Sequence, residues 1–316
     1  MSQEAKPTLL ILSGLQGSGK TTAALKWVAE DPEHRRRMNW DELRIEMFGP
    51  NWVFNRKEEG EMQSISRETV SRWLDEGLSV VIDNTNLTEK ARALWRAVAQ
   101  GATIEEYELP TTVYECVARD RKREGKARIG RAVIERLALF HGFIDWEHLP
   151  HKWIPTKGQP DIVVVDIDGT LSDPSHRLHH IRCVGDCDVN SKCRSKNPRW
   201  DLFHAEVDKD EPKPIIIDLV RRLSLSYWII IVSGRSPEHG CGIKTEDWLE
   251  KHLEIPYVHL FMRQSGDTKP DYIHKKEILD LLPKERIAFC LDDRQQVVDM
   301  WRENGLTCLQ VARGAF

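Results

Sequence analysis

The apolar positions fall in short runs separated by polar, helix-periodic stretches. Thr8–Leu12 is such a run and predicts a buried strand, followed by a glycine-rich turn and a helical pattern from Lys20 to Glu30. The pattern then predicts a helix over Glu61–Glu76, a strand over Leu78–Ile82, a helix over Thr88–Gln100 and a strand over Thr103–Leu109. Helices are predicted over Thr111–Arg123 and Arg131–His141. Leu149–Pro160 carries three prolines and a glycine and reads as a linker.

Past the linker the alternation resumes with a strand at Asp161–Val165. A helix over Ile215–Leu225, a strand over Trp228–Val232 and a helix over Lys244–Leu253 follow. The remainder reads as strand Tyr257–Met262, helix Lys275–Leu282, strand Ile287–Leu291, helix Gln295–Asn304 and strand Thr307–Val311. Strands alternating with helices predict parallel sheets covered on both faces. The expected fold class is α/β: two doubly wound parallel-sheet domains, residues 1–154 and 155–316. A polar, Cys/His-rich insertion occupies about 172–213. Ligands in such sheets bind beyond the C-terminal strand ends.

Candidate chemistry falls at those ends. Gly14-Leu15-Gln16-Gly17-Ser18-Gly19-Lys20-Thr21 fits GxxxxGK[ST] between a strand and a helix. Its backbone amides and helix N-terminus suit phosphates, Lys20 the β/γ-phosphates of ATP, and the Thr21 hydroxyl Mg²⁺. Asp41, about twenty residues on, is placed to accept the proton of an attacking hydroxyl, or else to cap a helix. Arg44, one turn later, is placed to clamp a phosphate or to face solvent. Val117–Arg136 holds eight basic residues against three acidic ones, which suits a lid over ATP or a solvated helix face.

A second constellation begins at Asp166-Ile167-Asp168-Gly169-Thr170, directly after a strand. One carboxylate can attack phosphorus while the other moves protons, with Mg²⁺ offsetting their repulsion. Ser233, Gly234 and Arg235 end another strand and offer donors to a phosphate. Lys275, read as a helix start, can neutralise it. Asp292 and Asp293 can complete a metal shell shared with Asp166 and Asp168.

Composition narrows the partners. The 316 residues carry a net charge of −4, which excludes a broad basic coat for duplex nucleic acid. Residues 1–158 balance 24 basic against 24 acidic side chains, so the excess of acid lies in the second half, where carboxylates are expected around a metal. End recognition needs only a few placed cations and stays open. No apolar run approaches a membrane span, and no secretory signal pattern opens the chain. The expected location is the cytoplasm, with reduced cysteines. Cys183, Cys187 and Cys193 cluster in the insertion, either as Zn²⁺ ligands or as free thiols.

These motifs together resemble the bacteriophage-type polynucleotide kinase-phosphatases. The resemblance runs through GLQGSGKTT (Gly14–Thr22), NWDELR (Asn39–Arg44), NTNL (Asn84–Leu87) and ARDRKR (Ala118–Arg123). It continues through DIDGTL (Asp166–Leu171), VSGR (Val232–Arg235), GDTKPDYIHKKEI (Gly266–Ile278) and LDDRQQVVDMW (Leu291–Trp301). It implies a P-loop 5′-kinase followed by a haloacid-dehalogenase-superfamily 3′-phosphatase. Asp41 would be the kinase base, Arg44 would engage the acceptor's phosphate, and Arg119 and Arg123 would be lid arginines at the ATP site that includes Thr22. Asp166 would be the phosphatase nucleophile and Asp168 its acid/base. The implied partners are DNA or RNA ends with 5′-OH or 3′-phosphate groups, a ligase that receives them, and a second copy of the chain. A phage protein acting in a bacterial host would fit. The chain has Asn84 where the family carries Asp, with Asp83 one place earlier, and residues 174–199 depart from the family pattern. The competing reading is a nucleotide or small-molecule kinase fused to a nucleotide phosphatase.

Overall fold

The structure is a computed structural model, and it describes residues 6–147, 158–182 and 198–314. Its Cα packing divides the chain into two compact units, Met1–Arg119 and Asp120–Phe316.

The first unit holds strands β1 (Thr8–Ser13), β2 (Arg35–Met38), β3 (Ser79–Asp83) and β4 (Thr103–Glu108) in the order β2-β3-β1-β4, all parallel. Its helices are α1 (Lys20–Ala29), α2 (Trp40–Phe48), α3 (Arg56–Asp75), α4 (Glu89–Arg96) and α5 (Val113–Asp120), the last ending one residue past the division. β1 and β3 are apolar because they lie in the sheet interior, in contact with helices. Their Leu9, Ile11, Val80 and Ile82 pack with Val70 and Leu74 of α3 and Trp95 of α4. The apolar pattern gives no sign of β2, because Arg-Arg-Arg-Met forms the sheet edge and needs no apolar alternation. α2 follows it where Asp41 and Arg44 suggest a helix, but none of its residues is fully buried, so no apolar period marks its extent.

The second unit contains a five-stranded parallel sheet of β5 (Ile162–Val165), β8 (Trp228–Val232), β9 (His259–Phe261), β10 (Ile287–Asp292) and β11 (Cys308–Gln310), ordered β11-β10-β5-β8-β9. β6 (Ser172–Asp173) and β7 (Glu211–Pro212) form a small antiparallel pair at the base of the insertion. The helices are α6 (Arg131–Phe140), α7 (Trp200–Ala205), α8 (Pro214–Leu223), α9 (Cys241–Leu253), α10 (Asp271–Leu279) and α11 (Gln295–Glu303). β5 is the central strand and all four of its residues are buried. α10 begins at Asp271, not at Lys275. Pro270 precedes it and Asp271 supplies first-turn negative charge, so Lys275 lies a full turn inside the helix.

The sequence expectation set the domain limit at 154/155, whereas packing sets the unit limit at 119/120. α6 is the reason. It places Ala132 in one core cluster of the second unit and Leu139 in the other. Buried Glu135 accepts hydrogen bonds from Leu260 N at 2.6 Å and Arg131 Nε at 2.8 Å, and lies 3.2 Å from His259 Nδ1. Burial alone would push its carboxyl up, but Arg131 and His259 hold it below the usual range. Its contribution to stability is therefore present above the unfolded glutamate pKa and lost as pH falls through the lowered native value. Removing the carboxylate deprives Arg131 Nε and the Leu260 amide of their acceptor and leaves the Arg131 charge with carbonyl partners. Glu135→Ala is expected to destabilise this unit by about 3–5 kcal/mol, read as a lower denaturant midpoint in the unfolding of the full chain.

Candidate functional sites

In the first unit, the Gly14–Lys20 loop connects β1 to α1. Gly17 has φ +83°, and a Cβ there would strike the Cys116 carbonyl, so only glycine fits. Lys20 is buried, and its Nζ donates to Gly14 O and Leu15 O at 2.8 Å each. Thr21 and Thr22 are exposed in the first turn of α1. Arg119 Nη1 donates to Ser18 O at 3.1 Å, and the Thr111 hydroxyl to the same carbonyl at 2.8 Å. One lid arginine is thus brought to the loop. Arg123 belongs to the second unit and lies 3.7 Å from Asp120, whose carboxylate accepts from Gly130 N at 2.9 Å.

The open choice at Asp41 is decided against capping. Asn39 is the N-cap of α2, its side-chain oxygen accepting from Glu42 N, and Asp41 projects into solvent. Asp41 meets Arg44 Nη1 at 2.6 Å, and Arg44 Nε meets Glu59 at 3.0 Å. Asp83 and Asn84 position the same loop. Buried Asp83 accepts from Arg37 Nε at 2.8 Å, its carbonyl accepts from Asn39 Nδ2 at 2.7 Å, and Asn84 Oδ1 accepts from Trp40 N at 3.0 Å.

In the second unit, Asp166 directly follows β5, Ser233 directly follows β8, and Asp292 is the last residue of β10. Asp166, Asp292 and Asp293 each bring a carboxylate oxygen within 4.8 Å of the others. Lys275 Nζ donates to Asp166 at 2.6 Å and Asp292 at 2.9 Å. Burial pushes the Asp166 carboxyl well up, against Lys275 and with the help of Asp292 and Asp293. Burial and Asp292 push Asp293 up to about 6. Three crowded hard oxygen donors, with no thiolate or imidazole, fit Mg²⁺, whose charge would relieve the repulsion. Gly169 (φ +88°) lies against Asp293, and a Cβ there would overlap its carboxylate. The Thr170 hydroxyl is buried with no hydrogen-bond partner among the described residues, a donor available to a phosphate.

Two expectations need correction. Asp168 does not join the carboxylate cluster. Its Oδ1 accepts from Arg177 Nη2 at 2.7 Å and from Arg235 Nη2 at 2.6 Å. Burial would push its carboxyl up, yet the two guanidiniums hold it far below the usual carboxylate range. Arg235, expected at the phosphate, is fully buried and committed to Asp168, Asp210 and Thr245. Proximity to a strand end does not give a side chain's direction; here two buried cations need carboxylates more than a ligand.

Sequence reasoning missed Arg177, Asp210 and Asp271. Asp210 accepts from Arg177 Nε and Arg235 Nη2, both at 2.6 Å, and from Ser172 Oγ at 3.0 Å. Asp271 packs on Gly234 and lies 3.3 Å from Arg294. Arg177 and Asp210 come from opposite ends of the insertion, which has no periodicity to mark them. Asp210→Asn is expected to misalign both arginines and lower kcat for any phosphomonoester hydrolysis at this site by about 10²-fold with little change in KM, measured by steady-state hydrolysis. The cysteines Cys183, Cys187 and Cys193 lie outside the described residues.

The first unit thus presents a GxxxxGK[ST] phosphate loop between a strand and a helix, and the second a DxDGT carboxylate cluster at strand ends. Residues 187–316 match the model of the polynucleotide kinase PNKP phosphatase domain, and residues 9–140 match an AAA domain. The two matches fall on successive parts of the chain, the AAA-domain match first and the phosphatase-domain match after it. It is 26% identical over 319 residues to a candidate bifunctional polynucleotide kinase/RNA ligase of Autographa californica nuclear polyhedrosis virus. That match takes in 93% of this chain and 41% of the viral protein, so the chain spans about two fifths of that relative's length. Among solved structures, a chain of a Pnkp1/Rnl/Hen1 RNA repair complex is 27% identical with a TM-score of 0.38, covering 100% of this chain and 99% of that one. A haloacid dehalogenase-like hydrolase of Streptococcus pneumoniae is 19% identical with a TM-score of 0.35, covering 48% of this chain and 84% of that one. No helix among the described residues is long and apolar enough to cross a membrane.

Proposed function

We propose that this chain heals nucleic-acid ends, phosphorylating 5′-OH termini from ATP and removing 3′-phosphates. The observation that carries this reading is the pairing, on one chain, of a formed phosphate loop with an Asp166–Lys275–Asp292 site, whose Lys275 and Asp292 lie within the residues 187–316 that match the polynucleotide kinase PNKP phosphatase-domain model.

In the kinase step, Asp41 accepts the proton of the 5′-hydroxyl as its oxygen attacks the γ-phosphorus and ADP departs. Lys20 and Arg119 stabilise the charge on the transferring group, and Arg44 holds the acceptor's phosphate. In the phosphatase step, Asp166 attacks the 3′-phosphorus and Asp168 protonates the departing 3′-oxygen, the negative charge of the incoming phosphate raising the proton affinity that Arg177 and Arg235 lower in the free site. Asp168 then takes a proton from the water that cleaves the aspartyl-phosphate. Lys275, Ser233, the Gly234 amide and the Thr170 hydroxyl hold the phosphate oxygens. Mg²⁺ bound by Asp166, Asp292 and Asp293 would neutralise phosphate charge, and a second Mg²⁺ at Thr21 would do so for ATP. The ends so prepared are substrates for a ligase, and self-association is part of the same proposal.

The test offers labelled ATP with 5′-OH oligonucleotides and, separately, with mononucleosides. Label on the oligonucleotide, and phosphate release from a 3′-phosphorylated strand, are the expected results. Label on mononucleosides alone would replace this reading with the small-molecule kinase.

A further inference from the structure

We propose that Trp200 is a stacking platform for the terminal nucleobase of a 3′-phosphorylated strand in the phosphatase cavity. This rests on the end-healing reading above. Trp200 lines a cavity of about 610 Å³ together with Asp166, Asp168 and Lys275. That volume is far larger than a phosphate needs and lies within the range of small-ligand sites. The indole is 43% exposed, whereas Trp248 and Trp301 of the same unit are 2% and 1% exposed.

The exposed ring is nonetheless held. Phe203 meets it edge-on at 5.5 Å and 85°, and His204 lies at 5.9 Å and 31°. Phe203 is itself buried and carries the Arg177 guanidinium 4.0 Å above its ring. Trp200 is thus continuous, through Phe203 and Arg177, with the Asp168 clamp. Burial holds the His204 imidazole down at about 4, so the neighbouring ring is neutral near pH 7. Tyr272, 38% exposed and adjacent to Asp271, lines the same cavity. An immobilised aromatic face left in water gains when a flat ring covers it, at small entropic cost. Every base has such a face, so the platform favours strands over small phosphate esters without reading sequence.

The experiment compares 3′-phosphorylated oligonucleotides whose last residue carries either a base or a tetrahydrofuran abasic analogue. With the wild type, kcat/KM is expected to fall about tenfold or more on the abasic end, mainly through KM. Trp200→Ala should show that loss on the base-bearing end and little further loss on the abasic one, and Trp200→Phe should recover much of it. Equal wild-type rates on both ends overturn the proposal without requiring any variant to fold. So does a Trp200→Ala loss of the same size on both ends, which marks packing alone. A wild type that hydrolyses small phosphomonoesters but neither oligonucleotide overturns the end-healing reading itself. Activity on both strands with no effect of the base overturns only the platform.

Discussion

Asp166→Asn is expected to lower the proposed 3′-phosphatase activity by about 10⁴-fold or more while the proposed ATP-dependent labelling of 5′-OH ends persists. The asparagine keeps the shape but cannot form the acyl phosphate, and no neighbouring carboxylate replaces it. Asp168 is engaged by Arg177 and Arg235, and Asp292 by Lys275. The substitution also removes a carboxylate from a crowded buried group, so the fold should tolerate it better than the chemistry does. Phosphate release from a 3′-phosphorylated strand and labelling of a 5′-OH strand, run on one preparation, check both halves. Loss of both activities would show that the two sites are not separable.

The converse variant, Lys20→Ala, is expected to lower kinase activity by about 10²–10³-fold and leave 3′-phosphate release unchanged. Its ammonium is pinned by the Gly14 and Leu15 carbonyls, on the loop where the transferring phosphates are proposed to sit. Removing it deletes a preorganised charge from the phosphoryl-transfer site and a tie from the loop. Single-turnover labelling separates the loss in transfer from any loss in ATP affinity.

Both sites were legible in the sequence to different depths. The phosphate loop was legible as a unit, because glycines at fixed spacing followed by Lys-Thr have one mechanical use between a strand and a helix. β2 and α2 were not, because an edge strand of three arginines and a helix with no buried residue carry no apolar period. Asp166, Asp292 and Asp293 read as strand-end carboxylates, and the structure gathers them. Asp168 and Arg235 follow the strands that the sequence places before them, and the structure pairs them with each other and with Arg177 and Asp210. The strand end gives position, but side-chain direction follows from what else is buried nearby, and Arg177 and Asp210 reach that place from distant points of an aperiodic insertion.

The sequence alone determined the class of chemistry. Strand–turn–helix motifs bring their own local geometry, so Lys20 and Asp166 had defined surroundings before any fold was known. Tertiary structure decided what long-range burial controls. It tied α6 to the second unit through Glu135, joined Asp168 to two arginines, and left Trp200 exposed beside the catalytic cavity. Each outcome depends on residues tens of positions apart competing for the same buried charge or surface, and no local pattern encodes that competition.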